Sequence, residues 1–347
     1  MKPAFPARAM KPVYGVATRA VKRACVVVSA VAVAALLSSA LLIAPTAGGA
    51  AAVRAVGPIG ITVANVERAA RFYTTVLGFE QIADAEVGVG AGRMRVVRLQ
   101  LGDEQIALTQ YVESRGRPVP SDSRSHDRWF QHIAIIVSDM DRAYARLHDA
   151  GVEHVSPAPQ RLPDWNAQAA GIRAFYFKDA DGHVLEILWF PPGKGDPKWR
   201  RRGDRLFLGI DHTAIVVAET TQSLRCYRDA LGLRVAGESE NYGPEQERLN
   251  NVPGAHLRIT TLRAAAGPGI EFLEYLSPRD GRPLPSDTRA GDLWQWTTTL
   301  VAENPDVVVQ TVRGSTCTVE TAPVSAGVPS TVRLRDADGH ALAVIPR

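Results

Sequence analysis

Two histidines and two glutamates at matched points of a repeated pattern are the residues of this chain best suited to chemistry. The pattern is a strand–helix–strand module that occurs four times. The second module has His132 on its first strand and Glu186 on its last, the third has His212 and Glu271 at the corresponding points, and the outer modules keep neither. Two neutral imidazoles and two carboxylates form a mixed nitrogen–oxygen set suited to one divalent ion, Zn, Ni, Fe or Mn. Side chains at i and i+2 share a strand face, so His132 lies with Ala134 and Ile136 and turns inward. A single such residue is usually structural, whereas four in homologous slots make a metal site the leading expectation.

The elements that must position them come from internal repetition. GITVANVERAARFY at 60–73 returns as AIVVAETTQSLRCY at 214–227, GRPVPSD at 116–122 as GRPLPSD at 281–287, and DADGH at 179–183 again at 336–340. Two tandem halves follow, 55–192 and 207–347, joined by a solvated Gly- and Arg-rich linker at 193–206. Within each half, Ile59–Val63 is a β-branched run, Val66–Leu77 has helical spacing, and Met94–Leu101 alternates as a half-exposed strand. The order strand, helix, three strands recurs in all four modules, which makes the class α+β. Asp181-Gly182 signals a tight hairpin, and the neighbouring His183, like His340, reads as exposed. The GRP-x-PSD segments read as extended connectors set by proline.

The composition is that of a globular protein, 46% hydrophobic and 22% charged. The net charge of +4 is misleading, because residues 1–44 hold six basic and no acidic residues, leaving −2 elsewhere. Nucleic-acid binding is therefore not expected. Cys25–Ala44 is an uncharged apolar run followed by small residues, the order of a secretory signal cut after Ala50 or Ala52. Its 20 residues also reach roughly 30 Å as a helix, enough for an uncleaved anchor through residues 25–44. Residues 1–52 are thus a signal peptide or membrane anchor, and either reading exports the rest, to the periplasm or outside the cell. Cys226 and Cys317 would remain, too few for a disulfide framework, and Cys226 reads as a small buried apolar residue.

The repeated βαβββ module, the Phe72-Tyr73…Leu77-Gly78-Phe79 helix ending and the D-x-D-G hairpin resemble the vicinal oxygen chelate superfamily. That group includes glyoxalase I, extradiol dioxygenases, methylmalonyl-CoA epimerase and bleomycin-resistance proteins. The resemblance covers the chain from residue 55 onward and implies two domains, each an eight-stranded cup built from two modules. It also implies one ligand slot on the first strand and one on the last strand of each module. Counting from matched strand ends, the outer modules place Pro58, Ala107, Ala343 and either Trp296 or Thr297 in those slots. If modules one and two pair, each cup has one His and one Glu. If modules two and three pair, one cup has all four ligands and the other none. Single-chain glyoxalase I proteins offer precedent for the second arrangement, which the complementary losses favour.

Such a site implies a metal-dependent lyase or isomerase acting on a small substrate with adjacent oxygens. The ion would act as a Lewis acid toward an enediolate, with Glu186 or Glu271 moving the proton. The alternatives are extradiol ring cleavage, which uses two His and one carboxylate, and a non-catalytic small-molecule-binding or resistance protein. Trp165, Asn166, Asn241 and Tyr242, on loops between second and third strands, and Arg173 on a strand are candidate substrate contacts.

Overall fold

The computed structural model describes residues 53–89, 92–201, 203–320 and 331–347. The signal or anchor expected at 1–52 lies outside them. Module one runs β1 (Val53–Thr62), α1 (Val66–Thr75), β2 (Glu80–Val89), β3 (Gly92–Leu101) and β4 (Glu104–Tyr111). Module two runs β5 (Gln131–Val137), α2 (Met140–Asp149), β6 (Glu153–His154), β7 (Gln160–Arg161), β8 (Arg173–Lys178) and β9 (Val184–Trp189). Its second strand is split in two because Pro157 and Pro159 supply no ladder donor.

Module three has β10 (Phe207–Val216), α3 (Thr220–Leu224, continued by a π-helical turn at Arg225–Ala230) and β11 (Arg234–Tyr242). It continues with α4 (Pro244–Asn250), β12 (His256–Arg263) and β13 (Gly269–Ser277). Asn241 and Tyr242, expected on a loop, are therefore the end of β11, which a short helix starting on Pro244 follows. Module four has β14 (Trp296–Ala302), α5 (Pro305–Val312), β15 (Thr318–Glu320), β16 (Val332–Arg335) and β17 (Ala341–Pro346). Asn65, Asp139 and Asn304 cap the starts of α1, α2 and α5 through their side chains.

The sheets join modules that are not tandem partners. One sheet has the order β15-β16-β17-β14-β1-β4-β3-β2, combining modules four and one. The other has β11-β12-β13-β10-β5-β9-β8-β6, with β7 also on β8, combining modules three and two. The seams are antiparallel, β1 against β14 and β10 against β5. The helix-facing residues of both sheets, including Ile59, Leu108, Ile135 and Phe272, merge into one core with α1, α2, α3 and α5. A second apolar cluster, with Tyr176, Leu188, Leu257 and Leu273, lines the inner sheet's opposite face.

Tandem neighbours are tied together by polar contacts instead. In the first D-x-D-G-H turn, Asp179 Oδ2 accepts from the Tyr73 hydroxyl at 3.1 Å and His183 Nδ1 at 2.9 Å. In the second, Asp336 Oδ2 accepts from Tyr227 at 3.0 Å and His340 Nδ1 at 2.9 Å. His183 and His340 are thus buried, not exposed, because each completes a network that crosses from one module to the next. Cys226, in the π-helical turn that continues α3, and Cys317, just before β15, form a disulfide, correcting the reading of Cys226 as a simple apolar residue. Their separation of 91 residues hides this pairing in the sequence.

The GRP-x-PSD connectors do more than run extended. Arg117 binds Asp292 of the other half, Nη2 to Oδ2 at 2.6 Å and backbone N to Oδ1 at 2.9 Å. Arg282 binds Asp127 in the same way, at 2.7 and 3.0 Å. Each guanidinium also lies over a tryptophan, Arg117 at 4.8 Å from the Trp294 ring centre and Arg282 at 4.7 Å from that of Trp129. The repeat is a reciprocal clasp between the two halves.

Candidate metal centre

At the seam of the inner sheet, Ala214 on β10 sits opposite His132 on β5 and beside Glu271 on β13. Ala134 on β5 sits opposite His212 on β10 and beside Glu186 on β9. The four chemical side chains therefore form two crossed rows, each with an alanine at its middle. Both alanines are fully buried, and their small size leaves room above the floor for the imidazoles to converge. The repeated H-x-A, His132-Ile-Ala134 and His212-Thr-Ala214, was a readable signal of this floor.

Ligand atoms of His132, Glu186 and His212 all lie within 4.8 Å of one another. Glu186 Oε2 is 3.2 Å from His132 Nε2 and 3.7 Å from His212 Nε2, and Glu271 Oε1 is 3.6 Å from His212 Nε2. Both Nε2 atoms and His132 Nδ1 are buried without a hydrogen-bond partner. Buried polar atoms normally find partners, and two imidazole nitrogens facing one carboxylate oxygen without hydrogen bonding it suit a shared cation. The donor set fits a divalent ion on this ground. Glu271 is the more open carboxylate, its side chain 17% exposed against 6% for Glu186. The Thr261 hydroxyl steadies it by donating to Oε2 at 3.0 Å.

The register of β10 shifts between Ile210 and His212, so Asp211 is an extra residue in the strand. Neighbours on a regular strand face opposite ways, but this bulge lets both Asp211 and His212 line the cavity. Asp211 Oδ2 accepts from His212 Nδ1 at 3.0 Å, and Arg263 Nη2 holds both oxygens of Asp211 at 2.9 and 2.8 Å. This carboxylate–imidazole pair fixes the tautomer that presents Nε2 to the site. Sequence reasoning missed Asp211 and Arg263, because alternation alone turns Asp211 away.

Burial lowers the His212 pKa, but Glu271, Asp211 and Glu186 together outweigh it and push the group up to about 9. Asp211 is desolvated too, yet the His212 hydrogen bond and the Arg263 charge hold its carboxyl well below the usual range. Without an ion, His212 therefore contributes stability that is full below its ordinary value of 6.5 and is lost as pH rises through about 9. Ion binding competes with that proton, so apparent affinity should rise with pH across this window, with proton release in calorimetry at pH 7. A pH-independent affinity between 6.5 and 9 would contradict the assignment. Asp211→Asn should weaken ion binding by roughly 10–100-fold without unfolding the chain, checked by competition with a chelator.

A cavity of about 350 Å³ opens beside Glu186, His212 and Glu271. Asn241 lines it and binds Asn166, whose Nδ2 donates to Asn241 Oδ1 at 2.7 Å, joining modules two and three at the rim. Trp165 and Tyr242 stack on each other, centres 4.3 Å apart, with relative exposures of 52% and 45%, and do not line the cavity. Arg173 does not reach it either. Ala174 and Tyr176 occupy the cavity face of β8, so Arg173 projects oppositely and pairs with Asp141 at 2.6 Å.

In the outer sheet, Gly60 stands opposite Thr297 and beside Ala107, while Thr299 is beside Ala343. Thr297, not Trp296, thus occupies the first-strand slot of module four. The slots Pro58, Thr297, Ala107 and Ala343 offer no imidazole or carboxylate.

Fold and site together define an α+β protein of paired βαβββ modules whose inner cup holds a cation-competent cluster. The chain matches the Glyoxalase/Bleomycin resistance protein/Dioxygenase superfamily over residues 55–187 and 209–344, and it belongs to that superfamily. Its fold is similar to that of glyoxalase I from Zea mays, with 12% identity, a TM-score of 0.60, and 84% of this chain and 92% of that one covered. It is also similar to a putative dioxygenase from Bacillus subtilis, with 14% identity, a TM-score of 0.52, and 85% and 86% covered. No protein of curated function matches the chain.

Proposed function

We propose that the inner cup is the active site of an exported, metal-dependent lyase or isomerase acting on a small substrate with adjacent oxygens. The observation that carries this reading is the pair of buried, unpartnered imidazole nitrogens facing Glu186. His132, His212 and Glu186 hold the ion, with Glu271 close enough to join them. When bound, a divalent ion supplies Lewis acidity toward a carbonyl or hydroxyl oxygen.

Glu271 is the proton carrier. Its greater exposure lets it meet a C–H beside a carbonyl, and Thr261 fixes Oε2 while Oε1, 3.6 Å from His212 Nε2, is not hydrogen-bonded and can take the proton. Leu188, Leu273 and Ala174 give the cavity apolar walls that exclude water, and Ser239 and Asn241 offer polar contacts. The Cys226–Cys317 disulfide supports export, since such bonds persist in oxidising compartments.

The test is solvent-deuterium exchange into hydroxyacetone and related α-hydroxy ketones by zinc- or nickel-loaded protein. Glu271→Gln should slow exchange by about 10²–10⁴-fold while keeping the ion. Exchange at an unchanged rate in that variant, or none with any of these ketones, would overturn the assignment. The three-member His132/Glu186/His212 cluster also favours a second reading, an iron(II) dioxygenase, since two histidines and one carboxylate leave positions open. Catechol-dependent oxygen uptake by the iron-loaded protein separates the two.

A further inference from the structure

The outer cup has no carboxylate in its ligand slots and carries two arginines on its wall. Its cavity of about 220 Å³ is floored by Gly60, Ala107 and Ala343. Arg333 and Arg335 both face it from β16, with Leu334 between them turned to the core. Glu320 is the one carboxylate among the described residues lining this cavity, and it is committed to Arg335, Nε to Oε1 at 2.6 Å. Arg335 is held further by Gln295 Oε1 at 3.1 Å and the Gly339 carbonyl at 2.9 Å.

Arg333 differs. It is half-buried, its backbone is paired in the sheet, and among the described residues its guanidinium makes no hydrogen bond or ion pair. Its cross-strand neighbours are Glu320 on β15, whose carboxylate is turned to Arg335, and Ala343 on β17, the slot that Glu186 fills in the inner cup. A partly desolvated guanidinium with no carboxylate bonded to it is unfavourable, and its planar fork matches a carboxylate. Tyr111 and Thr297 add hydroxyl donors to the same wall. Burial raises the Tyr111 pKa and the two arginines oppose that rise, so its hydroxyl is protonated at neutral pH.

We infer that the outer cup binds a small organic carboxylate, with the carboxylate forked by Arg333 and the apolar body resting on the floor of Gly60, Ala107 and Ala343. This does not rest on the function proposed for the inner cup. The experiment titrates benzoate and its uncharged isostere benzamide into the zinc-saturated full chain, read by calorimetry and ligand-observed NMR.

One benzoate per chain should bind, benzamide at least tenfold more weakly. Arg333→Gln should lower benzoate affinity at least tenfold with an unchanged melting temperature, Arg333→Lys should recover part of it, and Glu186→Gln should leave it unaltered. The inference is overturned if benzoate does not saturate, if benzamide binds equally, if Arg333→Gln binds like the parent, or if Glu186→Gln abolishes binding.

Discussion

His132→Ala and His212→Ala should each cost the chain its stoichiometric divalent ion, weakening binding by more than the roughly 100-fold expected from losing a supporting partner. The two histidines come from different halves of the sequence. The loss of either is decisive only if one ion is shared across the seam where β5 meets β10. Glu186 Oε2 faces both Nε2 atoms, so removing either histidine leaves the site with a single imidazole. Dialysis against trace zinc followed by elemental analysis gives the readout. Changes at Pro58 or Thr297 should leave ion content untouched, because those slots belong to the other sheet. An ion retained at full occupancy in either His variant would rule out the shared cup.

Arg282→Gln should destabilise the protein by about 1–3 kcal/mol, and Arg117→Gln should act in the same direction, because each leaves a buried carboxylate, Asp127 or Asp292, without its main counter-charge. Backbone donors remain, from Arg124 and Arg282 to Asp127, which keeps the cost at the low end for a broken buried pair. Burial raises the pKa of both aspartates, but the arginine hydrogen bonds win and hold them below the ordinary 3.8. Their contribution is therefore present above that value and lost as pH falls below it, and the arginine variants should flatten this acid-side loss. Urea unfolding at pH 7 and pH 3 checks both effects. A cost below about 1 kcal/mol would reduce the clasp to an ordinary surface pair.

Much of this architecture was legible because repetition writes it twice. The module order, the four candidate ligands and their outer-sheet replacements follow from aligned strand ends, and the complementary losses indicated which modules share a sheet. What stayed hidden depends on departures from regular periodicity or on contacts distant in sequence. Asp211 reaches the site only through a bulge, α4 interrupts an expected loop, and prolines split the second strand of module two. His183 and His340 look like turn residues until Tyr73 and Tyr227 arrive from neighbouring helices to bury them. Arg173 sits on the right strand but the wrong face, which alternation from Glu186 on β9 could not settle for β8.

The most direct test is X-ray absorption at the metal edge of full-length protein reconstituted with zinc or nickel, alongside ion content per chain. About one ion per chain, with two imidazole nitrogens and carboxylate oxygens as neighbours, is the predicted result. Sulfur neighbours, a single imidazole, or no stoichiometric uptake would contradict a site shared by His132, Glu186 and His212.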